Sequence, residues 1–402
     1  MKFQKIHTFA PTLNLFLIII GYTIVTTLFL PLSGGGDLNI TRLVTVPYRV
    51  FTFFISLWTL WMNFSVNRKI NIGIKILLCF WVVYILKLLL LLLFNSSVAA
   101  VYDNKNEYLI RTVGSVFIPL LSVLYSYEKI NWIKLFRYLY VYGLLILGIA
   151  LFFNQNIMQD EGLGLGVLRL SVNIAFGSIS YGQLAAWVGI FSLYLLLYTP
   201  LIRRKKIYIF LCLLFAFYSL TIAGSRGPFV SFCFVAALMI YAKQKQGFIG
   251  LIVTILIGIV FFLFQDIFYS LLENISPVIS SRLGEANSDD RIGLYREAWR
   301  QFINNPIIGK DFVLLSNGYY PHNIVLESFI ALGFLGGIIM IILLLKATSN
   351  AIILLQNRHE QGFIAVLLMC NIGFFMFSSA LWQASTLCCL LVCVLSYKAK
   401  NK

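Results

Sequence analysis

The chain has 402 residues, of which 60% are hydrophobic and only 11% are charged, and its mean hydropathy is +0.89. This composition excludes a soluble globular protein, in which about a quarter of the residues are charged. The formal net charge of +16 does not indicate a nucleic-acid partner, because Lys and Arg are scattered in short clusters between apolar segments instead of forming one basic surface. The lipid bilayer is therefore the expected solvent for most of the chain.

The apolar segments predict an all-α fold, because backbone groups inside a bilayer must be hydrogen-bonded within helices or closed barrels. We predict a polytopic membrane helical bundle of about 12 transmembrane helices, forming a single integral membrane domain over residues 1–402. The predicted spans are 13–32, 45–64, 73–94, 110–127, 134–153, 174–198, 207–224, 227–243, 247–265, 323–346, 361–378 and 380–397. Pro119 interrupts the fourth span, and the predicted topology depends on this segment crossing the membrane.

Basic residues recur at every second loop, which is the positive-inside pattern and predicts that both termini are cytoplasmic. The first cluster contains Lys2 and Lys5, and the last follows the twelfth span. No small-residue cleavage site follows the first apolar segment, so we expect an uncleaved span and not a signal peptide. All seven cysteines fall within predicted spans. They therefore predict neither disulfides in the outer loops nor a zinc site.

Two segments before the large hydrophilic loop place arginines at the outer ends of predicted spans. Arg169 precedes the sixth span, while Ser225, Arg226, Gly227 and Pro228 join the seventh span to the eighth. Ser suits an N-cap and Pro suits a first helical turn, so the eighth span should direct the positive end of its dipole outward. An anion would bind there beside Arg226. The alternative is a tight helical hairpin whose arginine contacts lipid phosphate.

The longest hydrophilic segment, 266–322, is predicted to be a large extracytoplasmic loop that contains one amphipathic helix. The helix is expected to follow capping residues at 288–290, to cover 291–304 and to end at Asn305 and Pro306. Its apolar residues fill about half of the helical circle, so we expect it to lie along the membrane interface. Arg291 projects onto the apolar side, either as a ligand-binding residue or as one whose long stem carries its charge to water.

His322 directly precedes the tenth span, and it is the one histidine predicted to lie outside, since His7 and His359 belong to cytoplasmic segments. At neutral pH an imidazole can act as a general base or as a donor to an oxyanion. The alternative is an ordinary interfacial histidine. Three glycines in the same span are expected to allow close helix packing: Gly333, Gly336 and Gly337.

Arg169, Arg226, Arg291 and His322 form a set of cationic or proton-accepting groups at one membrane level, contributed by four separate segments. The natural ligand of such a set is a phosphate or pyrophosphate at the level of the lipid headgroups. The sequence contains no paired carboxylates of a glycosidase, no Asp-x-Asp metal pair, no P-loop and no nucleophile elbow. We therefore expect a reaction that uses an already activated donor, with no metal, no ATP and no other cofactor.

Ordered motifs between about residues 165 and 345 resemble those of the O-antigen ligase and O-antigen polymerase superfamily. The early spans are similar to that family only in their hydrophobicity. The residues that carry the resemblance are Thr221 to Gly227, Arg291 to Trp299, Asn305 to Gly309, His322 with Asn323, and Gly333 to Gly336.

The resemblance implies a glycosyltransferase that takes a glycan from undecaprenyl pyrophosphate and joins it to an acceptor sugar hydroxyl on the periplasmic side of the bacterial inner membrane. His322 would then deprotonate or orient the acceptor hydroxyl, and Arg226, with Arg169 and Arg291, would hold the leaving pyrophosphate. Four supporting positions are implied: Ser225, Asn323, Arg296 and Glu297. Of these, Arg296 and Glu297 match only by their position in the loop helix. The implied partners are an undecaprenyl-pyrophosphate-linked oligosaccharide, the lipid bilayer and, for a polymerase, a chain-length regulator protein.

Three functions remain open at this point. A polymerase transfers a growing chain onto the next lipid-linked repeat unit, whereas a ligase transfers the finished chain to lipid A core. The loop 266–322 has 57 residues, which is short for a ligase that must also seat lipid A core, so we favour the polymerase. A flippase or other secondary transporter is the third hypothesis; against it, Lys87 and Glu327 are the main charges within predicted spans, and no two halves of the chain repeat.

Overall fold

The computed structural model describes residues 2–28, 38–65, 70–93, 105–153, 158–159, 169–170, 177–244, 290–316, 318–357 and 360–397. In these ranges the chain is helical apart from short connections and one antiparallel pair of two-residue strands, in which Gln159 pairs with Arg169. The predicted helical fold is therefore confirmed for the described residues.

Several helices continue one another through short π or 3-10 segments. In chain order the elements are α1 (Lys2–Phe16), the turn π1 (Leu17–Gly21), α2 (Tyr22–Leu28), α3 (Leu38–Asn63), α4 (Ile72–Leu93), α5 (Lys105–Arg111), the turn π2 (Thr112–Phe117), α6 (Ile118–Ser126), a 3-10 turn (Tyr127–Lys129), α7 (Trp132–Phe153), β1 (Met158–Gln159), β2 (Arg169–Leu170), α8 (Ser178–Tyr198), α9 (Arg203–Ile222), α10 (Arg226–Gln244), α11 (Asp290–Asn304), α12 (Ile324–Gln356), α13 (Gly362–Phe377), a 3-10 turn (Leu381–Gln383) and α14 (Ser385–Ser396). The helices joined by π1 and by π2 each make one long rod.

Eight helical segments of the described chain are long and apolar enough to cross a membrane. They are Thr8–Leu28, Leu43–Asn63, Ile72–Leu93, Asn106–Lys129, Trp132–Phe152, Ile179–Tyr198, Arg203–Ile222 and Ile324–Gln356. Three shorter apolar helices, α10, α13 and α14, coincide with the predicted eighth, eleventh and twelfth spans. The predicted ninth span, 247–265, and the first part of the large loop, 266–289, lie outside the described residues. A multi-pass helical membrane protein is thus supported, and the total of about 12 spans stays a prediction.

The tenth span is longer than its sequence predicts. Its predicted end is residue 346, but α12 continues to Gln356. Lys346 lies on an exposed face of this helix, while Ala347 and Ala351 beyond it are fully buried. A cation that projects from the surface does not interrupt the backbone, so the helix ends ten residues further along than the hydropathy alone suggests.

The interrupted fourth span forms one continuous rod of α5, π2 and α6. Pro119 has no backbone N–H, and its ring crowds the carbonyl four residues earlier, at Ser115. That carbonyl belongs to π2, whose wider turn makes room for a proline ring. The segment Asn106–Lys129 therefore remains long enough to cross the membrane despite the proline.

The core combines nearly all-apolar helices at the centre with polar contacts between the amino-terminal helices. Almost every residue of α14, and most of α13, is buried, as expected for helices enclosed by others. Asn14 of α1 donates to Ser122 Oγ of α6 at 2.7 Å and accepts from Ser56 Oγ of α3 at 2.9 Å. Such buried polar bonds hold helices together where lipid removes the hydrophobic driving force.

α12 is broken at Gly333, in the amino-terminal third of the helix. The backbone there has φ 68° and ψ −159°, a region essentially restricted to glycine. The loop that follows α11 lies against the break: the Phe334 N–H donates to the Pro306 carbonyl at 2.7 Å, and the Lys310 N–H donates to the Ile330 carbonyl at 3.0 Å. The backbone groups released by the break are therefore satisfied by the loop, as a membrane helix requires.

Lys87 of α4 also binds both the broken part of α12 and the loop that lies against it. Its ammonium group donates to the Ile308 carbonyl at 3.1 Å and to the Ala331 carbonyl, which gives this intramembrane charge a structural role. A Cβ atom at Gly333 would stand 2.4 Å from the Ile307 carbonyl oxygen. The close contact of Gly333 is thus with the loop that leads to His322 and not with another helix, which corrects the expectation of helix packing.

Replacing Gly333 by alanine should destabilise the protein by at least about 1–3 kcal/mol, the cost of a strained backbone region, before the clash with the loop is added. The measurement is the midpoint of thermal unfolding in detergent. Gly148→Ala is the matched control, because no atom lies within 4 Å of a Cβ built there and alanine is the better helix former. Equal midpoints for the two variants would contradict the role of Gly333.

Candidate active site

The first part of the site is the turn between α9 and α10. Gly224 has a left-handed backbone, with φ 60°, and reverses the chain after α9. Ser225 is buried, and its carbonyl accepts the first N–H bond of α10, from Phe229, at 3.4 Å. α8 packs closely on the turn, since a Cβ at Gly182 would stand 3.3 Å from Pro228 Cγ. The helix start predicted at these residues is confirmed, and Arg226 is the first residue of α10.

The start of α10 lies against the end of α13. A Cβ atom at Gly227 would stand 3.6 Å from Phe377 Cβ, and one at Gly373 would stand 2.5 Å from Ser231 Oγ. Ser231 Oγ in turn donates to the Gly227 carbonyl at 2.8 Å. Two glycines therefore bring the helices close together, so that Arg226 begins α10 next to the last residue of α13.

His322 and Asn323 form the second part of the site. His322 has a left-handed backbone, with φ 55°, and its partly buried ring lies 4.6 Å from the ring of Tyr320, edge to face. Asn323 caps α12, because its Oδ1 accepts from the N–H groups of Val325 and Leu326 at 3.0 and 3.1 Å. The imidazole is thus held between a fixed aromatic ring and a capped helix start.

Both α11 and α12 are tied to one carbonyl at the end of α13. Asn323 Nδ2 donates to the Met376 carbonyl at 3.2 Å, and the Tyr295 hydroxyl donates to the same oxygen at 3.3 Å. Met376 immediately precedes Phe377, against which α10 begins. Arg291 precedes Tyr295 by four residues in α11, and its part in the site stays a prediction. The structure thus brings the starts of α10 and α12, and one face of α11, to a single point.

The predicted amphipathic helix is α11, which covers Asp290–Asn304. Ala298 and Phe302 are buried against Phe329 and Ile330 of α12, so one half of its apolar face meets protein. The other half is exposed, and a strip of three residues forms it: Ile292, Trp299 and Ile303. Its position along the membrane interface stays a prediction, which this exposed apolar strip supports.

Glu297 and Arg296, the two residues of α11 to which the resemblance gave no role, differ in their contacts. Glu297 accepts hydrogen bonds from the Ser316 N–H at 2.9 Å and from Ser316 Oγ at 2.6 Å, so it secures the loop between α11 and His322. The Arg296 side chain is exposed. We therefore regard Glu297 as a positioning residue for the loop.

Glu327 is a residue whose role the sequence analysis missed. It is fully buried in the first turn of α12, and its Oε2 accepts from the Leu381 N–H at 2.9 Å. Its Oε1 makes no hydrogen bond to any residue that the structure describes. A charge inside a span signals function by default, and this one ties the start of α12 to the connection between α13 and α14, beside Met376.

Arg169 is not brought to the other site residues by any described contact. The structure gives only its place in β2, paired with Gln159, so its part in the site stays a prediction. Among the described residues, no three His, Cys, Asp or Glu side chains come together as metal ligands. All seven cysteines are free thiols, and five of them are buried.

Comparison with known families confirms the resemblance. Residues 211–341 match a family described as O-antigen ligase, which supports placing this region in the O-antigen ligase and polymerase superfamily. The match runs from within α9 to within α12, so it contains Arg226, Arg291 and His322 but not Arg169. A comparison with curated proteins finds no match.

Proposed function

We propose that this protein is a membrane glycosyltransferase of surface polysaccharide assembly that polymerises undecaprenyl-pyrophosphate-linked O-antigen or capsule repeat units. The observation that carries the proposal is the convergence of three chain segments on the end of α13. Gly227 abuts Phe377, and Asn323 and Tyr295 share the Met376 carbonyl. The helix that begins at Arg226 and the residue that follows His322 both meet the end of α13, which supports a site where a base and an arginine act on one bound donor.

His322 acts as the base in this proposal. The acceptor sugar hydroxyl attacks the anomeric carbon of the donor glycan, and its proton passes to the imidazole. The bond between the anomeric carbon and the pyrophosphate oxygen breaks as the new glycosidic bond forms, and undecaprenyl pyrophosphate leaves. General base catalysis of this kind contributes about 10²–10⁴-fold to a rate.

The arginines hold the leaving group. Arg226 begins a helix, so its guanidinium charge adds to the positive end of the α10 dipole where the pyrophosphate develops charge. Arg291 would approach from α11, and Arg169 from the segment before α8. A leaving group so stabilised needs neither ATP nor metal, which is the expectation for this reaction.

The ligase is the second candidate, and one observation favours it. The family that matches residues 211–341 is described as O-antigen ligase. Against it stands the length of the loop 266–322, of which α11 and the turn secured by Glu297 form the described part. In either case we place the protein in the bacterial inner membrane, with cytoplasmic termini and a periplasmic active site.

A gel profile of surface polysaccharide from a strain that lacks this protein tests the proposal. For a polymerase we expect lipid A core carrying a single repeat unit, because ligation continues without chain growth. Core without any repeat, with polymer left on the lipid carrier, would identify the ligase instead. An unchanged ladder would overturn both functions. A strain complemented with the wild-type gene serves as the control.

A further inference from the structure

A cavity lies beside the connection between α13 and α14. It has a volume of about 320 Å³ and is lined by residues of nine helical elements, including both π turns and the 3-10 turn Leu381–Gln383. Trp382 and Gln383 of that connection face it, whereas the neighbouring Leu381 N–H binds Glu327 below the candidate site. The cavity and the candidate site therefore share one wall.

Both π turns of the described chain line this cavity. Ile18 belongs to π1, and Gly114 and Ser115 belong to π2. Side chains from other helices hold π1 open: the Tyr48 hydroxyl donates to the Leu17 carbonyl at 2.6 Å, and Thr386 Oγ1 donates to the Ile18 carbonyl at 3.0 Å. π turns within α-helices occur frequently at functional sites, and two on one cavity wall point to a built site.

Two arginines line the cavity among the residues that the structure describes. Arg49 of α3 and Arg111 of α5 both line it. Arg111 Nε donates to Glu107 Oε1 at 3.0 Å, and its guanidinium lies 5.6 Å from the centre of the Trp382 ring. The two guanidinium groups give the cavity N–H donors that match phosphate oxygens in geometry, so its lining suits a phosphate head.

An apolar groove runs from the cavity to the outer surface of the helix bundle. It has a volume of about 520 Å³ and shares both arginines with the cavity, together with Phe53, Gly114 and Ser115. Its remaining lining is mainly aliphatic, and Val50 and Ile110 are exposed on the bundle surface. A cavity lined by two guanidinium groups that continues as an apolar groove fits one amphiphile, with a phosphate head inside and a hydrocarbon chain outside.

We propose that the Arg49–Arg111 cavity and its groove bind the phosphate head and first isoprene units of a second polyprenyl pyrophosphate, the carrier of the acceptor glycan. That this lipid carries the acceptor rests on the function proposed above, in which two lipid-linked glycans must meet. The candidate site holds the donor pyrophosphate that leaves, while the acceptor pyrophosphate does not react. A separate head-binding site on the shared wall keeps the second lipid in place during transfer.

Photolabelling tests this site without requiring turnover. Purified protein in phosphatidylcholine nanodiscs is labelled with a C55 polyprenyl pyrophosphate that carries a diazirine near its head, and the labelled peptides are mapped. We expect label on α3 and on the α5–π2 segment, reduced about tenfold or more in Arg49→Gln, since a bond to a charged group is lost. Arg137→Gln, at an exposed arginine of α7, is the matched control, and Arg49→Lys should retain intermediate labelling.

Competition distinguishes the sources of the phosphate. Unlabelled polyprenyl pyrophosphate should displace the label, whereas equal amounts of phosphatidylglycerol or inorganic pyrophosphate should not. Equal displacement by either competitor, or equal labelling of wild type and Arg49→Gln, would overturn the proposal. His322→Ala should keep the label on α3. If α3 is labelled but deletion of the gene leaves the polysaccharide ladder unchanged, the proposed function alone is refuted. If deletion changes the ladder but α3 is not labelled, the lipid site alone is refuted.

Discussion

His322→Ala should reduce glycan transfer by about 10²–10⁴-fold, the usual contribution of a general base, while leaving the protein inserted in the membrane. The imidazole is held by the Tyr320 ring at 4.6 Å and by the start of α12, which Asn323 caps and ties to the Met376 carbonyl. Removing it leaves this scaffold in place. The measurement is the length distribution of surface polysaccharide together with the amount of protein in the membrane fraction.

The left-handed backbone of His322 complicates a substitution by alanine, because alanine is strained at φ 55°. His322→Asn removes that ambiguity, since asparagine tolerates this conformation and still forms hydrogen bonds but cannot take up a proton. We expect it to be as inactive as His322→Ala. His359→Ala, at the histidine predicted to be cytoplasmic, is the matched control. Normal polymer from His322→Asn would show that the residue is not the base.

Arg226→Ala should lower transfer by about 10²–10³-fold, the cost of removing one group that stabilises developing negative charge. Gly227 and Ser231 make close contacts between α10 and α13, and the substitution leaves both of them unchanged. Arg226→Lys should be intermediate, since an ammonium keeps the charge but loses the paired donors of a guanidinium. The rate of transfer from purified lipid-linked donor is the quantity to measure.

Arg300→Ala is the matched control for Arg226, because Arg300 is exposed on α11 and has no proposed role. We expect wild-type transfer from it. The expected signature of Arg226→Ala is a fall in the maximal rate rather than a weaker affinity for donor alone, since the arginine acts on charge that appears as the bond breaks. A variant with an unchanged maximal rate would remove Arg226 from the pyrophosphate site.

Local features of the sequence predicted much of this architecture. The predicted spans 45–64, 73–94 and 134–153 match α3, α4 and α7 within a few residues, except that α3 already begins at Leu38. The loop helix was predicted at 291–304 and lies at Asp290–Asn304, and the start of α10 was predicted from Ser225 and Pro228. Hydropathy, caps and proline act within one or two helical turns. They can therefore be read from neighbouring residues alone.

The sequence by itself thus determined a multi-pass helical protein and the candidate residues His322, Arg226 and Arg291. Only the tertiary structure decided which of their helices meet, because the deciding bonds join distant segments. Tyr295 and Met376 are 81 residues apart, and Glu327 and Leu381 are 54 apart. Similarly, the loop satisfies carbonyl and N–H groups at the break at Gly333, and other helices satisfy two carbonyls of π1. Spacing along a chain carries no signal for such contacts, since they follow from how the helices pack.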